Sequence, residues 1–160
     1  MLPEILDITA GYRAMWKGKQ QNVLFLDRRK EVKPDIIASN EFLPFKEKVF
    51  IKVVYDPPHT VGTLTLFYTH EPEGFDRYSH WDSKPQFFRN IIRVNKEVGR
   101  VLKDTGIFLI KWCDLTIKHG LLIRLMDDFK LNRKTLYQSG NQNRSKKFFL
   151  YFTQKTNHFM

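Results

Sequence analysis

Cysteine is almost missing from this chain, with Cys113 the single one among 160 residues. No internal disulfide can form, and a reducing compartment is the natural setting. Cys113 itself reads as a small apolar residue near a strand end. No stretch approaches the roughly 20 apolar residues of a membrane-spanning helix. Met1 to Ile8 is acidic and has neither the basic start nor the apolar run of a signal peptide. The expectation is a soluble, cytoplasmic protein with no membrane partner. His70 and His80 lack cysteine neighbours at ligand spacing, so no metal site is expected. A Ser/His/Asp order and a phosphate-cradling Gly-Lys motif are missing as well. Acid vanishes late in the chain: Lys130, Arg133, Lys134, Arg144, Lys146, Lys147 and Lys155 follow one another with no Asp or Glu between Lys130 and Met160.

What is present suits one domain over residues 1–160, long enough to bury a core without staples and with no separate target-recognition domain. Lys and Arg number 27 against 17 Asp and Glu, a formal charge of +10. That excess favours a polyanionic partner, nucleic acid above all, over a small neutral metabolite. Arg144, Lys146 and Lys147 are the candidate phosphate contacts, the alternative being a solvated basic surface.

Apolar runs mark the strands. Ile5 to Thr9 is a short first strand closed by Ala10-Gly11, and Val23 to Asp27 is a second, ending in an acid. Pro34 to Ser39 looks like a third, reached by a connection very short for a parallel crossover, so any helix there is vestigial. Phe50 to Tyr55 has the character of a strand buried on both faces, stopped by Asp56-Pro57-Pro58-His59. Thr60 to Lys84 is a long aperiodic stretch whose aromatics could stack unpaired bases. Phe87, Phe88, Ile91, Val94, Val98, Val101 and Leu102 recur at helical spacing, with a glycine turn at Lys103 to Gly106. Ile107 to Trp112 is the fifth strand, and Ile117 to Phe129 carries another apolar helical face. Leu131 to Gln138 and Lys147 to Thr153 form a hairpin around a polar loop. The expected fold is α/β: a compact, mostly parallel sheet with a C-terminal antiparallel hairpin and few or short helices in its N-terminal half. Such short crossovers leave a sheet that homo-oligomerisation would cover, in a number the sequence does not set.

Asp56-Pro57-Pro58-His59 resembles the Asp/Asn-Pro-Pro-aromatic signature of the SAM-dependent methyltransferases that modify exocyclic amines of nucleic-acid bases, with His59 in the aromatic position. The order of strands from Ile5 to Thr153 is similar to that family's Rossmann-like sheet, including its final hairpin and, at Leu102 to Gly106, its leucine-lysine-proline-glycine-glycine turn. The resemblance implies S-adenosyl-L-methionine (SAM) as cofactor and nucleic acid as partner, adenine N6 favoured over cytosine N4. It also implies roles. Asp56 and the Pro57 carbonyl would accept from the target amine, Pro58 would stiffen the turn, and His59 would stack on the base. Asp7, Thr9, Ala10 and Gly11 would form the loop beside the methionine moiety, although a lone glycine after a strand is also an ordinary turn. Arg13 would pair with the cofactor carboxylate or be a plain surface charge. Asp27, with Arg28 after it, would take the ribose hydroxyls, since a carboxylate accepts from both at once; a turn role is the alternative. Its spacing from Gly11, 16 residues, is a little short of the roughly 20 of the dinucleotide fingerprint. Asn40, Glu41 and Phe42 would meet the adenine, or Asn40 would cap an Asx-turn. The runners-up are a degenerate methyltransferase fold that only binds nucleic acid, and a small-molecule amine methyltransferase.

Overall fold

The computed structural model describes residues 3–16, 22–62, 80–137 and 146–155. One seven-stranded sheet runs through them. Its strands are β1 (Ile5–Asp7), β2 (Val23–Asp27), β3 (Ile36–Ile37), β4 (Phe50–Tyr55), β5 (Leu102–Cys113), β6 (Phe129–Tyr137) and β7 (Lys147–Gln154). In space the order is β3-β2-β1-β4-β5-β7-β6, so the chain first walks to one edge, returns to the middle at β4 and walks to the other. β1 to β5 are mutually parallel, and β7 inserts antiparallel between β5 and β6. The reversal between β1 and β4 opens a crevice at the strands' carboxyl ends, the usual ligand position in open α/β sheets.

Helix α1 (Lys84–Val101) covers one face of the sheet. Ser83 caps it by accepting from the Gln86 amide at 3.4 Å, the Gln86 side chain reaches back to the Asp82 amide at 2.8 Å, and Pro85 sits in the first turn, where no donor is missed. Phe87, Ile91, Val94, Val98 and Val101 form its buried stripe. They meet Leu6, Leu26, Phe50, Val53, Tyr55, Phe108, Ile110, Trp112, Leu150 and Phe152 in one core. Ring contacts run through this core, with Phe108 5.3 Å from Phe129 and 6.3 Å from both Tyr55 and Phe152, centroid to centroid. The opposite face carries a smaller cluster, Ala10, Val23 and Phe25 with Trp16, and a cleft of about 230 Å³ lined by Met15, Trp16, Lys52, Val54, Leu109, Phe149 and Tyr151.

Several boundaries differ from the sequence pattern. β1 stops at Asp7 because the Thr9 amide turns back onto the Asp7 carboxylate. β3 is two residues long, although Asp35 and Ala38 extend its backbone bonding to β2. Ile51 on β4 is exposed, so that strand is buried on both faces only from Val53 onward. α1 hands over to β5 directly at Leu102, and Lys103 to Gly106 bulges from the ladder instead of ending the helix. Gly106 is needed there, since a Cβ would fall 2.6 Å from the Leu102 side chain and 2.8 Å from the Lys103 carbonyl. The second helix, α2, is only His119–Arg124. The Phe129 amide closes a turn on the Met126 carbonyl, and Phe129 then opens β6 opposite Gln154. Cys113 is buried, as its apolar reading expected, and burial pushes its thiol up. No described helix is long and apolar enough to cross a membrane. The Thr60 to Lys84 stretch lies mostly outside the described residues.

Truncating Phe108, fully buried and ringed by aromatics, should cost about 3–5 kcal/mol. Urea unfolding of Phe108→Ala measures it, and a loss below about 1 kcal/mol would contradict this core assignment.

Candidate active site at the carboxyl edge of the sheet

Three aspartates end three neighbouring strands or follow them directly. Asp7 ends β1, Asp27 ends β2, and Asp56 follows β4. The loop from Ile8 to Gly11 ties them together. The Ile8 amide donates to the Val54 carbonyl at 3.0 Å, the Ala10 amide to the Leu26 carbonyl at 3.1 Å, and the Gly11 amide to Asp27 Oδ2 at 2.9 Å. Thr9 Oγ1 accepts from the Asp56 amide at 2.7 Å. Gly11 has φ +49°, a conformation that costs a side-chain-bearing residue but not glycine.

Asp7 is 2% exposed. Burial pushes its carboxyl up to about 6, although the Trp16 indole at 2.7 Å and the Thr9 amide at 2.9 Å both favour the ionised form. Asp27 is less deeply buried, and desolvation raises its carboxyl too, but with a different outcome. Its Oδ1 accepts from the Arg29 amide at 3.0 Å and from Arg29 Nε at 3.2 Å, and Oδ2 accepts from Arg29 Nη2 at 3.4 Å as well as from Gly11. Those donors outweigh desolvation and hold it below the usual carboxylate range. The partner is Arg29, whereas Arg28, the neighbour expected to assist, points into solvent.

Arg13 does not face this loop. Its guanidinium stacks 4.2 Å from the Phe25 ring centroid, donates to the Lys33 carbonyl at 3.3 Å and lies 3.6 Å from Asp35. Its backbone φ is 58°, and these contacts hold the guanidinium at the β2–β3 side of the corner. Asn40 and Glu41 sit on the turn after β3 and are held from α1. Asn90 Nδ2 donates to Asn40 Oδ1 at 3.0 Å and Glu41 Oε1 at 2.9 Å, while Asn90 Oδ1 accepts from the Tyr55 hydroxyl at 2.6 Å. Glu41 also binds Arg93 at 2.7 Å; burial pushes its carboxyl up, and Arg93 and Asn90 bring it below the usual range. Phe42 is 67% exposed, a ring available to a flat ligand.

At Asp56-Pro57-Pro58-His59, burial pushes the Asp56 carboxyl up, but the His59 hydrogen bond and the Lys111 ammonium hold it below the usual range. Lys111 Nζ lies 2.6 Å from Oδ2 and His59 Nε2 3.4 Å from Oδ1. The Trp81 indole donates to the Pro58 carbonyl at 2.9 Å, and Pro57 is buried. The His59 ring turns inward, 5.5 Å from Trp112 in an edge contact, with its buried Nδ1 lacking a partner among the described residues. It is held as a packed side chain and not displayed as a stacking face.

Beyond β5, Asp114 accepts from the His119 amide at 2.6 Å and lies 2.8 Å from His119 Nδ1, while Lys134 Nζ is 3.3 Å from Nε2. Lys147 pairs with Cys113 in the β5–β7 ladder, and the exposed Lys146 accepts from the Asp114 amide through its carbonyl. Arg144 lies outside the described residues. No group of metal ligands occurs among the described residues.

Lys111, Arg29 and Asn90 escaped the sequence reading. Two had a signal: Lys111 is a lone charge inside the apolar run Ile107 to Trp112, and Asn90 is one of two amides, with Asn95, on the buried stripe of α1.

No family model matches the chain. Among curated proteins, an uncharacterized protein of Methanocaldococcus jannaschii is 29% identical over 117 residues, 68% of this chain and 36% of that protein. The match thus spans about a third of the relative's length. Among solved structures, a SAM-dependent methyltransferase from Methanosarcina mazei superposes with TM-score 0.59 at 14% identity, covering 94% of this chain and 91% of that one. A 16S rRNA adenine methyltransferase from Catenulisporales acidiphilia gives 0.56 at 12% identity, over 96% and 86%. The chain has the fold of the SAM-dependent methyltransferases. At these identities the likeness concerns the fold, and the site's chemistry rests on the residues above.

Asp7 generates a pH prediction. Its folded value of about 6 lies above its unfolded value near 3.8, so between about pH 4 and pH 6 the native state keeps a proton the unfolded chain has lost. Its contribution to stability is therefore present below about pH 4 and lost as pH rises through about 6, by on the order of 3 kcal/mol. Asp7→Asn should gain that much relative to the parent between about pH 4 and pH 7 in urea melts. A pH-independent difference would contradict the raised carboxyl.

Proposed function

We propose that this chain is a SAM-dependent methyltransferase acting on an exocyclic amine of a nucleic-acid base, adenine N6 before cytosine N4. The observation that carries the reading is the hydrogen bond from the Asp56 amide to Thr9 Oγ1. It joins the Asp-Pro-Pro-His turn to the Gly11–Asp27 corner, so an acceptor for an amine and an acceptor for a ribose share one edge.

The residues fit the cofactor. Gly11 brings bare backbone to the corner, where the atom nearest to a built Cβ is Arg29 Nη2 at 3.6 Å. Arg29 gives Asp27 two side-chain donors, Nε and Nη2, as the two hydroxyls of a ribose would. Asp27 and Gly11 would hold the ribose with Arg29 swung aside, and Asn40 and Phe42 would meet the adenine. When bound, SAM supplies a methyl group on a sulfonium that is already a good leaving group.

The chain's work is then to aim the nucleophile. Asp56 and the Pro57 carbonyl would accept hydrogen bonds from the two amine N–H groups and leave the nitrogen lone pair free for the methyl group that SAM would supply. The amine proton that methylation would release has solvent as its acceptor, because Asp56 is already paired with Lys111 and His59. His59 fixes the Asp56 carboxylate instead of stacking on the base. Lys146 and Lys147 would bind phosphates at the β7 end of the same edge, and Arg144, outside the described residues, is a third candidate.

A second reading, a degenerate fold that binds nucleic acid without methylating it, draws on Arg29 already satisfying Asp27 and Lys111 already satisfying Asp56.

Labelled methyl transfer to adenine-containing nucleic acid tests the first reading. Asp56→Ala should abolish transfer while SAM still binds, and retained turnover would refute the assignment. Replacing Lys146 and Lys147 by Ala should lower the salt slope of nucleic-acid binding by about two. Binding that ignores salt in the parent chain would remove nucleic acid as partner.

A further inference from the structure

The ion pair between Lys111 and Asp56 bears on which amines the site accepts. Lys111 stands on β5, paired with Phe149 of β7 and one residue past the Tyr55–Ile110 pair that ends the β4 ladder, so its backbone is held in the sheet. Its ammonium touches Asp56 Oδ2 at 2.6 Å, and the Lys111 and Asp56 side chains are 23% and 20% exposed. A contact this close and this sheltered from solvent is screened far less than a surface pair. Among the described residues, the other ionisable groups around the carboxylate are His59 at 3.4 Å, the buried Asp7 and the buried Cys113.

We propose that Lys111 makes this site select neutral aryl amines and reject alkylammonium ions. The inference rests on the reading of Asp56 as the acceptor for the target amine. A half-buried carboxylate with no counter-ion would draw any small cation as its partner. Alkyl amines are cations near neutral pH, with their lone pair already bound to a proton, so such a site would fill with a form that cannot be methylated. Amines conjugated to a heteroaromatic ring are neutral there and keep both N–H donors. Lys111 supplies the missing counter-charge from within the protein. An entering ammonium would then set two cations on one carboxylate, whereas a neutral amine needs only the acceptor positions that remain. A carboxylate offers about four such positions, and Lys111 and His59 occupy two of them. The pair therefore favours a nucleobase over a small aliphatic amine at the level of charge, before any shape is read.

The test uses the full chain and three variants, Lys111→Met and Lys111→Gln without the charge and Lys111→Arg with it. Methyl transfer from SAM is measured to an adenine-containing oligonucleotide and to ethylamine, and the ratio of the two kcat/KM values is the readout. The parent should favour the oligonucleotide, Lys111→Met and Lys111→Gln should lower the ratio at least tenfold, and Lys111→Arg should keep it. Carbon-13 NMR of the Asp56 carboxyl gives a readout without turnover: ethylammonium should perturb it in Lys111→Met and leave it unmoved in the parent. Equal losses on both substrates, or an unchanged ratio, would mean that Lys111 only supports the structure and would overturn the proposal. Transfer by the parent to neither substrate would instead overturn the methyltransferase reading, and this inference with it.

Discussion

Crowding of carboxylates at one edge of the sheet is the constraint on which the site depends. Parallel strands β2, β1 and β4 are neighbours, and each delivers an aspartate to its carboxyl end. Like charges gathered in a sheltered place raise one another's cost of ionisation. The chain answers differently at each position. Asp27 is covered by Arg29 and the Gly11 amide, and Asp56 by Lys111 and His59, and both are held below the usual carboxylate range. Asp7 is pushed up chiefly by its burial, with smaller contributions from Asp56 and Asp27, because its only donors, Thr9 and Trp16, are neutral. One sheet edge thus holds two carboxylates that stay ionised below the usual range and a third that takes up its proton already at about pH 6.

The backbone that makes this possible is economical. The Ile8 to Gly11 turn bonds to β2, to β4 and to the Asp56 amide, so the corner is assembled from main chain more than from side chains. On the α1 side, the buried Tyr55 and Asn90 and the half-buried Asn40 and Glu41 form a polar network in which each named donor has a partner. A satisfied network in a low-dielectric place rigidifies what it joins, here β4, the turn after β3 and the helix above them.

Much of this was legible in the residues. β2 and β4 announced themselves as continuous apolar runs, and the β6–β7 hairpin as two runs around a polar loop. The stripe from Phe87 to Val101 named α1. What misled was local: Leu102 continues the helical spacing yet starts a strand, and Met126 and Phe129 keep the helical period although α2 ends at Arg124. In both cases pairing in the sheet, a long-range event, overrode the local period. For the site, Gly11, Asp27 and Asp56 could be found because each follows an apolar run. Arg13 and Arg29 could not be told from surface charges, because what separates them is the direction of a long side chain. Phe25 draws one guanidinium away and Asp27 holds the other.

The central claim is that the Gly11–Asp27 corner seats SAM. Calorimetric titration of SAM into the parent chain and into Asp27→Ala tests it most directly. The account predicts saturable binding at one site per chain, weakened in the folded variant by about 1.5–3 kcal/mol as charge-assisted hydrogen bonds are lost. No binding to the parent chain, or equal affinity in the two proteins, would contradict it.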